Sequence, residues 1–257
     1  MPNYFATMDV GRRYADVRPY VHPEIVARIR DRLGLAGPVG CALDAACGTG
    51  QSALALTDIA RRVVGLDPSG EMLAHAHRAP GLVYVRGRAE ALPFAAASFD
   101  LATVALAFHW LDRGRFLAEA RRVLRPAAWL VIYNNLFQAE MDGDAAFGDW
   151  FRTVHLARYP APPRQGQPLA DADAAAAGFR VVAREDLRHW LPFTPPRLAD
   201  YLMTQTNVIA AVAAGDTSYA DTRAWLAAQL APLFDGAAER QLLFTSYIWY
   251  LQLDTGQ

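Results

Sequence analysis

Residues 39–50 read V-G-C-A-L-D-A-A-C-G-T-G, and residues 63–67 read V-V-G-L-D. Each is a short apolar run ending on an acid, and the first leads straight into a turn that contains Gly48 and Gly50. In a chain that alternates strand and helix, these endings place a glycine-lined turn and a carboxylate at adjacent strand tips, where nucleoside cofactors bind. Glycine suits such a turn because it tolerates positive φ and, lacking a Cβ, lets a ligand approach the backbone. The segment G-T-G-Q-S-A also fits G-x-G-x-x-A, with Asp67 near the spacing of a dinucleotide fold's ribose-binding acid, so the turn alone admits NAD. Asp44 opposes that reading: a carboxylate four residues before Gly48 would sit beside a pyrophosphate and repel it. A zwitterionic or cationic ligand suits the position instead. S-adenosylmethionine has that character, with its ammonium and sulfonium near the turn and its ribose diol able to donate to Asp67.

Outward from this stretch, Ile25, Val26, Ile29 and Leu33 fall at helical spacing over 23–35, with stop signals at Gly34 and Gly37. Strands are expected at 41–45, 63–66, 82–85 and 101–105, with a helical segment after each of the first three. An amphipathic helix over 113–124 then precedes an apolar strand at 129–133. Repeated βαβ units imply a parallel sheet. Beyond Asn135 the alternation stops. The stretch 147–168 is aromatic and proline-bearing, and its R-Y-P-A-P-P-R-Q-G-Q-P cannot continue a helix or a central strand, which suggests a lid or connection. Gly178 opens a further strand, the alanine-rich stretches 171–177 and 209–214 read as helices, and L-L-F-T-S-Y-I-W-Y-L-Q-L has strong β propensity.

Composition narrows the chemistry. The 257 residues are 53% apolar and 20% charged, with a formal net charge of -1, which provides ample core and no extended basic face for nucleic acid. The sequence contains no lysine, which excludes Schiff-base and pyridoxal-phosphate chemistry and the P-loop lysine. Cys41 and Cys47 are the only cysteines and form neither a zinc spacing nor a CxxC pair, so a reduced, cytoplasmic setting is expected. No run of about 18 apolar residues predicts a membrane span. His75 and His77, two apart on an expected helix, diverge and cannot share a metal, and no metal is expected.

Five motifs in register, A-L-D-A-A-C-G-T-G, V-V-G-L-D-P-S-G-E-M-L, G-R-A-E-A-L-P-F-A-A-A-S-F-D-L-A-T-V, F-H-W-L-D and E-A-R-R-V-L-R-P, resemble the class I S-adenosylmethionine-dependent methyltransferases. The resemblance is to the small-molecule group that includes trans-aconitate methyltransferase-like proteins, and it spans most of the chain. It implies an α/β, Rossmann-like, doubly wound fold. That fold has a mostly parallel seven-stranded sheet, an antiparallel C-terminal strand and a helical lid. One methyltransferase domain over 1–257 would comprise an N-terminal helical cap (1–36), a cofactor-binding core (37–136), a lid (137–177) and C-terminal elements completing the sheet (178–257). The resemblance further implies that Asp44, Ala46, Gly48 and Gly50 hold the methionine part of S-adenosylmethionine and Asp67 its ribose. Pro68 and Met72 would pack on adenine, with Arg88, Ala89 and Glu90 beside its polar edge. Ala105 would lie under the sulfonium, and Tyr14 and Arg18 would belong to a segment folding over the cofactor. Two departures stand out. Ala46 replaces a glycine-like residue, and Pro126, Ala127 and Ala128 stand where the family has P-G-G, so that turn is expected to avoid positive φ.

Methyl transfer from a sulfonium is an in-line displacement that needs alignment and desolvation but no metal or covalent nucleophile. His109, after the fourth strand, is the candidate base for a substrate hydroxyl. Tyr20, Phe108 and Trp110 could form an aromatic wall around substrate or serve as ordinary packing. Arg18, Arg152, Arg158 and Arg164 are candidates to clamp a carboxylate acceptor. The expected function is transfer of a methyl group to a carboxylate or hydroxyl oxygen of a small molecule. A cofactor-binding module without transfer and a nicotinamide-dependent oxidoreductase are the rivals, and neither nucleic acid nor membrane is an expected partner.

Overall fold

The computed structural model describes residues 16–161 and 168–254, so Tyr14 and Arg164 lie outside the described residues. The chain divides into two compact units. The first, here the αβ unit, comprises residues 20–135, 168–186 and 247–254; the second, the aromatic unit, comprises 16–19, 136–161 and 187–246.

The αβ unit opens with helix α1 (His22–Arg32), whose Ile25, Val26 and Ile29 are buried and whose end is followed by Gly34 at φ 63°. Strands β1 (Val39–Ala45), β2 (Ala60–Asp67), β3 (Leu82–Arg86), β4 (Phe99–Ala105) and β5 (Leu124–Met141) follow, separated by α2 (Gln51–Leu56), α3 (Gly70–Ala74) and α4 (Arg113–Val123). Two later strands, β6 (Phe179–Phe193) and β7 (Arg240–Leu253), complete a seven-stranded sheet of order β3-β2-β1-β4-β5-β7-β6. β1 pairs in parallel with both β2 and β4, β2 with β3 and β4 with β5. The antiparallel strand stands at the C-terminal end of the chain, as expected. Strand order reverses between β1 and β4, so the crevice at their carboxyl ends is the place where doubly wound sheets bind ligands. Buried core positions such as Leu43, Leu66, Ala102, Phe116, Leu130 and Leu251 come from the sheet and from α4.

Two expectations for this unit are corrected. No helix follows β3. The loop 87–98 replaces it because its backbone groups are satisfied from α4: Leu92 N–H donates to the Glu119 carboxylate at 2.7 Å, and Arg122 donates to the carbonyls of Leu92 and Phe94 at 2.8 and 2.6 Å. A loop so held needs no helix of its own. Ala127 adopts φ 61°, the left-handed conformation that the missing glycine was expected to forbid. The strain, of order 1–2 kcal/mol, is carried by the surrounding β5 pairing and by the Gln252 amide, which donates to the Ala127 carbonyl at 3.3 Å.

In the aromatic unit, helix α5 (Ala145–Trp150) runs into a π-helical turn (Phe151–His155) and on to Arg158, so the first half of the expected lid is helical and only the proline-rich end breaks it. The remaining helices of this unit are α7 (Pro195–Met203), α8 (Thr206–Ala214) and α9 (Tyr219–Leu233), while α6 (Asp171–Ala176) belongs to the αβ unit. Thr194 and Ser218 cap α7 and α9, and Gly215 at φ 81° ends α8. Phe137, Phe147, Phe151, Phe193, Tyr201 and Phe244 meet in one cluster, with Phe193 and Phe244 stacked at 5.9 Å. Among the described residues no helix is long and apolar enough to cross a membrane.

Candidate functional site

β1 delivers Asp44 one residue short of its end, opposite Gly65 of β2 and Thr103 of β4. The side chain is fully buried. Its Oδ1 accepts from the Thr103 hydroxyl at 2.8 Å and its Oδ2 accepts from the Ser52 hydroxyl in a short contact. Burial pushes the carboxyl up to about 7, against the opposing hydrogen bonds of Ser52 and Thr103, and the nearby Asp67 charge adds to the rise. Among the described residues no cation is among the groups acting on it.

Asp67 ends β2. Its Oδ2 accepts from Gly48 N–H at 2.8 Å and its Oδ1 from Ser69 N–H at 2.9 Å, and burial raises its pKa against those two bonds. The acid thus ties the glycine turn to the start of α3. Each carboxylate oxygen has two lone pairs, so both acids keep acceptor capacity after these bonds. Two buried acids at neighbouring strand tips, with no cation among the described residues acting on Asp44, suit a ligand bearing a cationic end and a diol.

Every second residue of the turn is left-handed: Ala46, Gly48 and Gly50 have φ 56°, 56° and 75°. Ala46 is therefore a strained non-glycine at the site itself. The two glycines differ in what they admit. A Cβ on Gly48 would lie 3.2 Å from the Met72 methyl, whereas one on Gly50 would lie 2.0 Å from the Tyr84 hydroxyl. Tyr84, on β3, donates to the His77 carbonyl at 2.7 Å, and His77 N–H donates to the Thr49 carbonyl at 3.1 Å. Gly50 thus makes room for a protein side chain, a role that the motif does not disclose.

The remaining expected residues fall at several places. Met72 is buried, close to Gly48, with its N–H donating to the Ser69 hydroxyl at 3.2 Å. Pro68 is exposed, and its carbonyl accepts from Arg86 at 3.1 Å. Ala89 is buried in the core, Arg88 is exposed and faces Glu90 at 3.5 Å, and Glu90 also accepts from Asp112 N–H at 3.3 Å. Ala105 is buried at the β4 tip, opposite Tyr133 of β5. His109 and Trp110 are half-buried on a 3-10 turn (Phe108–Trp110) after β4, with ring centroids 4.8 Å apart. Phe108 takes the packing alternative: it is buried edge-on against Phe116 and Trp249, with Arg113 over its ring at 4.9 Å. Tyr20 is 47% exposed beside His22.

Arg18 belongs to the aromatic unit, where it donates to the Thr204 carbonyl at 2.8 Å and lies over the Tyr201 ring at 5.2 Å. Its guanidinium is engaged by protein groups there. Arg152 pairs with Asp149 at 2.6 Å, and Arg158 lies 4.6 Å over Trp225 at the edge of a groove of about 400 Å³ that also includes Tyr159, Asn207 and Thr217.

Sequence reasoning missed Ser52, Thr103 and Tyr84. A weak signal existed for Thr103, the sole hydroxyl in the apolar run 101–108, but its partner is set by strand register and not by spacing.

A family model described as a methyltransferase domain matches residues 43–132, the segment from β1 into β5. A demethylmenaquinone methyltransferase of Beutenbergia cavernae is 40% identical over 188 residues, covering 71% of this chain and 73% of its own. An uncharacterised methyltransferase of Mycobacterium tuberculosis is 30% identical, and the match covers 66% of this chain and 66% of that relative, about two thirds of its length. The solved structure of a putative type II methyltransferase from Anaeromyxobacter dehalogenans superposes with TM-score 0.66 at 28% identity, covering 92% of this chain and 96% of that one.

Proposed function

The chain belongs to the class I S-adenosylmethionine-dependent methyltransferases, and from that premise we propose that it binds S-adenosylmethionine at the β1 and β2 tips and methylates an oxygen of a small molecule. The observation that carries the reading is the pair of buried acids, Asp44 and Asp67, joined through the left-handed turn 46–50. S-adenosylmethionine, when bound, supplies an activated methyl group on sulfur. Asp44 attracts the ammonium, Asp67 accepts from the ribose diol while holding Gly48 in place, and Met72 offers an apolar surface to adenine. Desolvation at this buried crevice strengthens both charge interactions.

On the acceptor side, His109 is assigned to take the proton of a hydroxyl acceptor, and Trp110 beside it to exclude water. The Beutenbergia relative is named for demethylmenaquinone, a small molecule, which supports a small-molecule acceptor.

Calorimetry with S-adenosylmethionine and S-adenosylhomocysteine tests the donor half, and stabilisation by NAD instead of either would overturn it. A screen of carboxylate and hydroxyl acceptors tests the other half. Binding of the donor with no turnover across that screen would favour a module that has lost transfer.

A further inference from the structure

One side chain accounts for two of the glycines in the cofactor motifs. A Cβ on Gly50 would overlap the Tyr84 hydroxyl and lie 2.7 Å from its Cζ, and one on Gly65 would lie 2.7 Å from its Cδ1 and Cε1. Gly48 behaves differently, since a Cβ there would meet only the flexible Met72 methyl at 3.2 Å. Had Gly50 served only to admit a ligand to the backbone, the space beside it would be empty of protein.

Parallel register sets Asp44 of β1, Gly65 of β2 and Tyr84 of β3 side by side in one row. Residues so aligned share a face of the sheet, and neighbouring strands lie about 4.8 Å apart. A ring that starts on β3 therefore reaches the turn after β1 only by crossing β2, and it can cross only where β2 carries no side chain. Gly65 provides the crossing, and Gly50 the space where the ring ends.

The hydroxyl end is tied down as well. It donates to the His77 carbonyl at 2.7 Å, and His77 N–H donates to the Thr49 carbonyl at 3.1 Å, inside the turn. The near end of the turn is fastened from β2, where Cys47 N–H donates to the Leu66 carbonyl at 3.0 Å and Gly48 N–H to the Asp67 carboxylate at 2.8 Å. Ala46 at φ 56° is a strained non-glycine, and strained backbone persists only where its surroundings over-determine it. Tyr84 is the part of those surroundings that comes from a third strand and meets the far end of the turn.

Resting on the cofactor reading above, we propose that Tyr84 is a positioning residue of the cofactor site. Its ring is the floor beneath Gly50, and its hydroxyl, through the backbone of His77, holds Thr49. The turn 46–50 thereby keeps the conformation that receives the methionine end of S-adenosylmethionine before that cofactor arrives. A binding loop already in its bound shape loses less affinity to ordering. Gly50 and Gly65 are then required by residue 84 as well as by the ligand, and a small residue at 84 relaxes the demand for both.

Calorimetric titration of the full chain with two ligands tests this. S-adenosylhomocysteine carries the amino-acid end, and methylthioadenosine lacks it. Tyr84→Phe keeps the ring and removes the hydroxyl bond, so it should bind S-adenosylhomocysteine about fivefold more weakly and methylthioadenosine within about twofold of wild type. A loss shared equally by both ligands, as a merely structural role would give, overturns the proposal, and so does unchanged affinity for S-adenosylhomocysteine. A double-mutant cycle reads the ring. Gly50→Ala should weaken S-adenosylhomocysteine at least about twentyfold by itself, and no more than about fivefold when added to Tyr84→Ala. Equal costs in the two backgrounds overturn the proposal. Should Gly50→Ala fail to fold, the Tyr84→Phe comparison decides alone. Failure of the wild type to bind either ligand overturns the cofactor reading itself, a distinguishable result.

Discussion

The two units are built on different physics. The αβ unit places its acids by local rules: an apolar strand, a tight turn, a second strand, and parallel register that sets Asp44 and Asp67 at neighbouring tips. The aromatic unit has no such motif, and its interior is a set of rings that meet across distant segments, Phe137 with Tyr201 and Phe193 with Phe244 among them. Electrostatics and backbone conformation dominate the first, shape and area the second. A perturbation of charge or φ should therefore be felt in the αβ unit and one of volume in the aromatic unit.

Truncating a stacked ring makes the sharpest contrast. Phe193→Ala should cost about 3–5 kcal/mol in denaturant titration while leaving S-adenosylhomocysteine affinity of the folded protein unchanged. A drop in affinity would show that the division between stability and binding does not follow the units. Asp67→Ala should do the reverse on the ligand side, weakening S-adenosylhomocysteine at least about a hundredfold, or about 3 kcal/mol, through two lost charge-assisted bonds. Retained binding in calorimetry would remove the acid from the site.

Gly50→Ala combines positive φ with a Cβ 2.0 Å from the Tyr84 hydroxyl. Its melting curve should report a loss of roughly 2 kcal/mol or more. An unchanged melt would mean that Tyr84 moves aside freely.

The units should also differ in acid. His22 in the αβ unit and His155 in the aromatic unit are both held down to about 4 by burial, so each contributes stability that is lost as pH falls from 6.5 toward 4. Asp44, raised to about 7, works in the opposite sense: its folded state binds a proton that the unfolded chain lacks, so its contribution is complete below about 4 and is lost as pH rises through 7. The two effects oppose each other in the αβ unit, whereas His155 is unopposed. Between pH 7 and 5, hydrogen exchange should therefore lose protection first in 187–246, at up to about 1.4 kcal/mol per pH unit. Parallel loss in both units would refute this compensation.

The smallest effect is expected at Ala127. Relief of its φ of 61° by Ala127→Gly should stabilise the protein by about 0.5–1 kcal/mol after the entropic cost of glycine, visible as a modest rise in melting temperature. A fall would show that the methyl group packs usefully there.

These comparisons also explain what could be read in advance. The first five strands, the glycine turn and the two acids were legible because each depends on neighbours in sequence, through apolar runs, chain reversal and residue spacing. The missing helix after β3 was not legible, since Glu119 and Arg122 replace it from a helix some 30 residues later in the chain. The positive φ of Ala127 escaped for a similar reason: propensity argues against it, and tertiary contacts carry the strain.

By itself the sequence determined the order of strands and helices, the identity of the carboxylates at the tips and the absence of lysine chemistry, because these follow from composition and short-range periodicity. Only the tertiary structure decided that Gly50 yields space to Tyr84, that Arg18 is engaged by Thr204, that His22 meets Tyr133 and that Ser52 meets Asp44. Those pairings depend on sheet register and helix docking, and side chains up to 111 positions apart meet only after both are set.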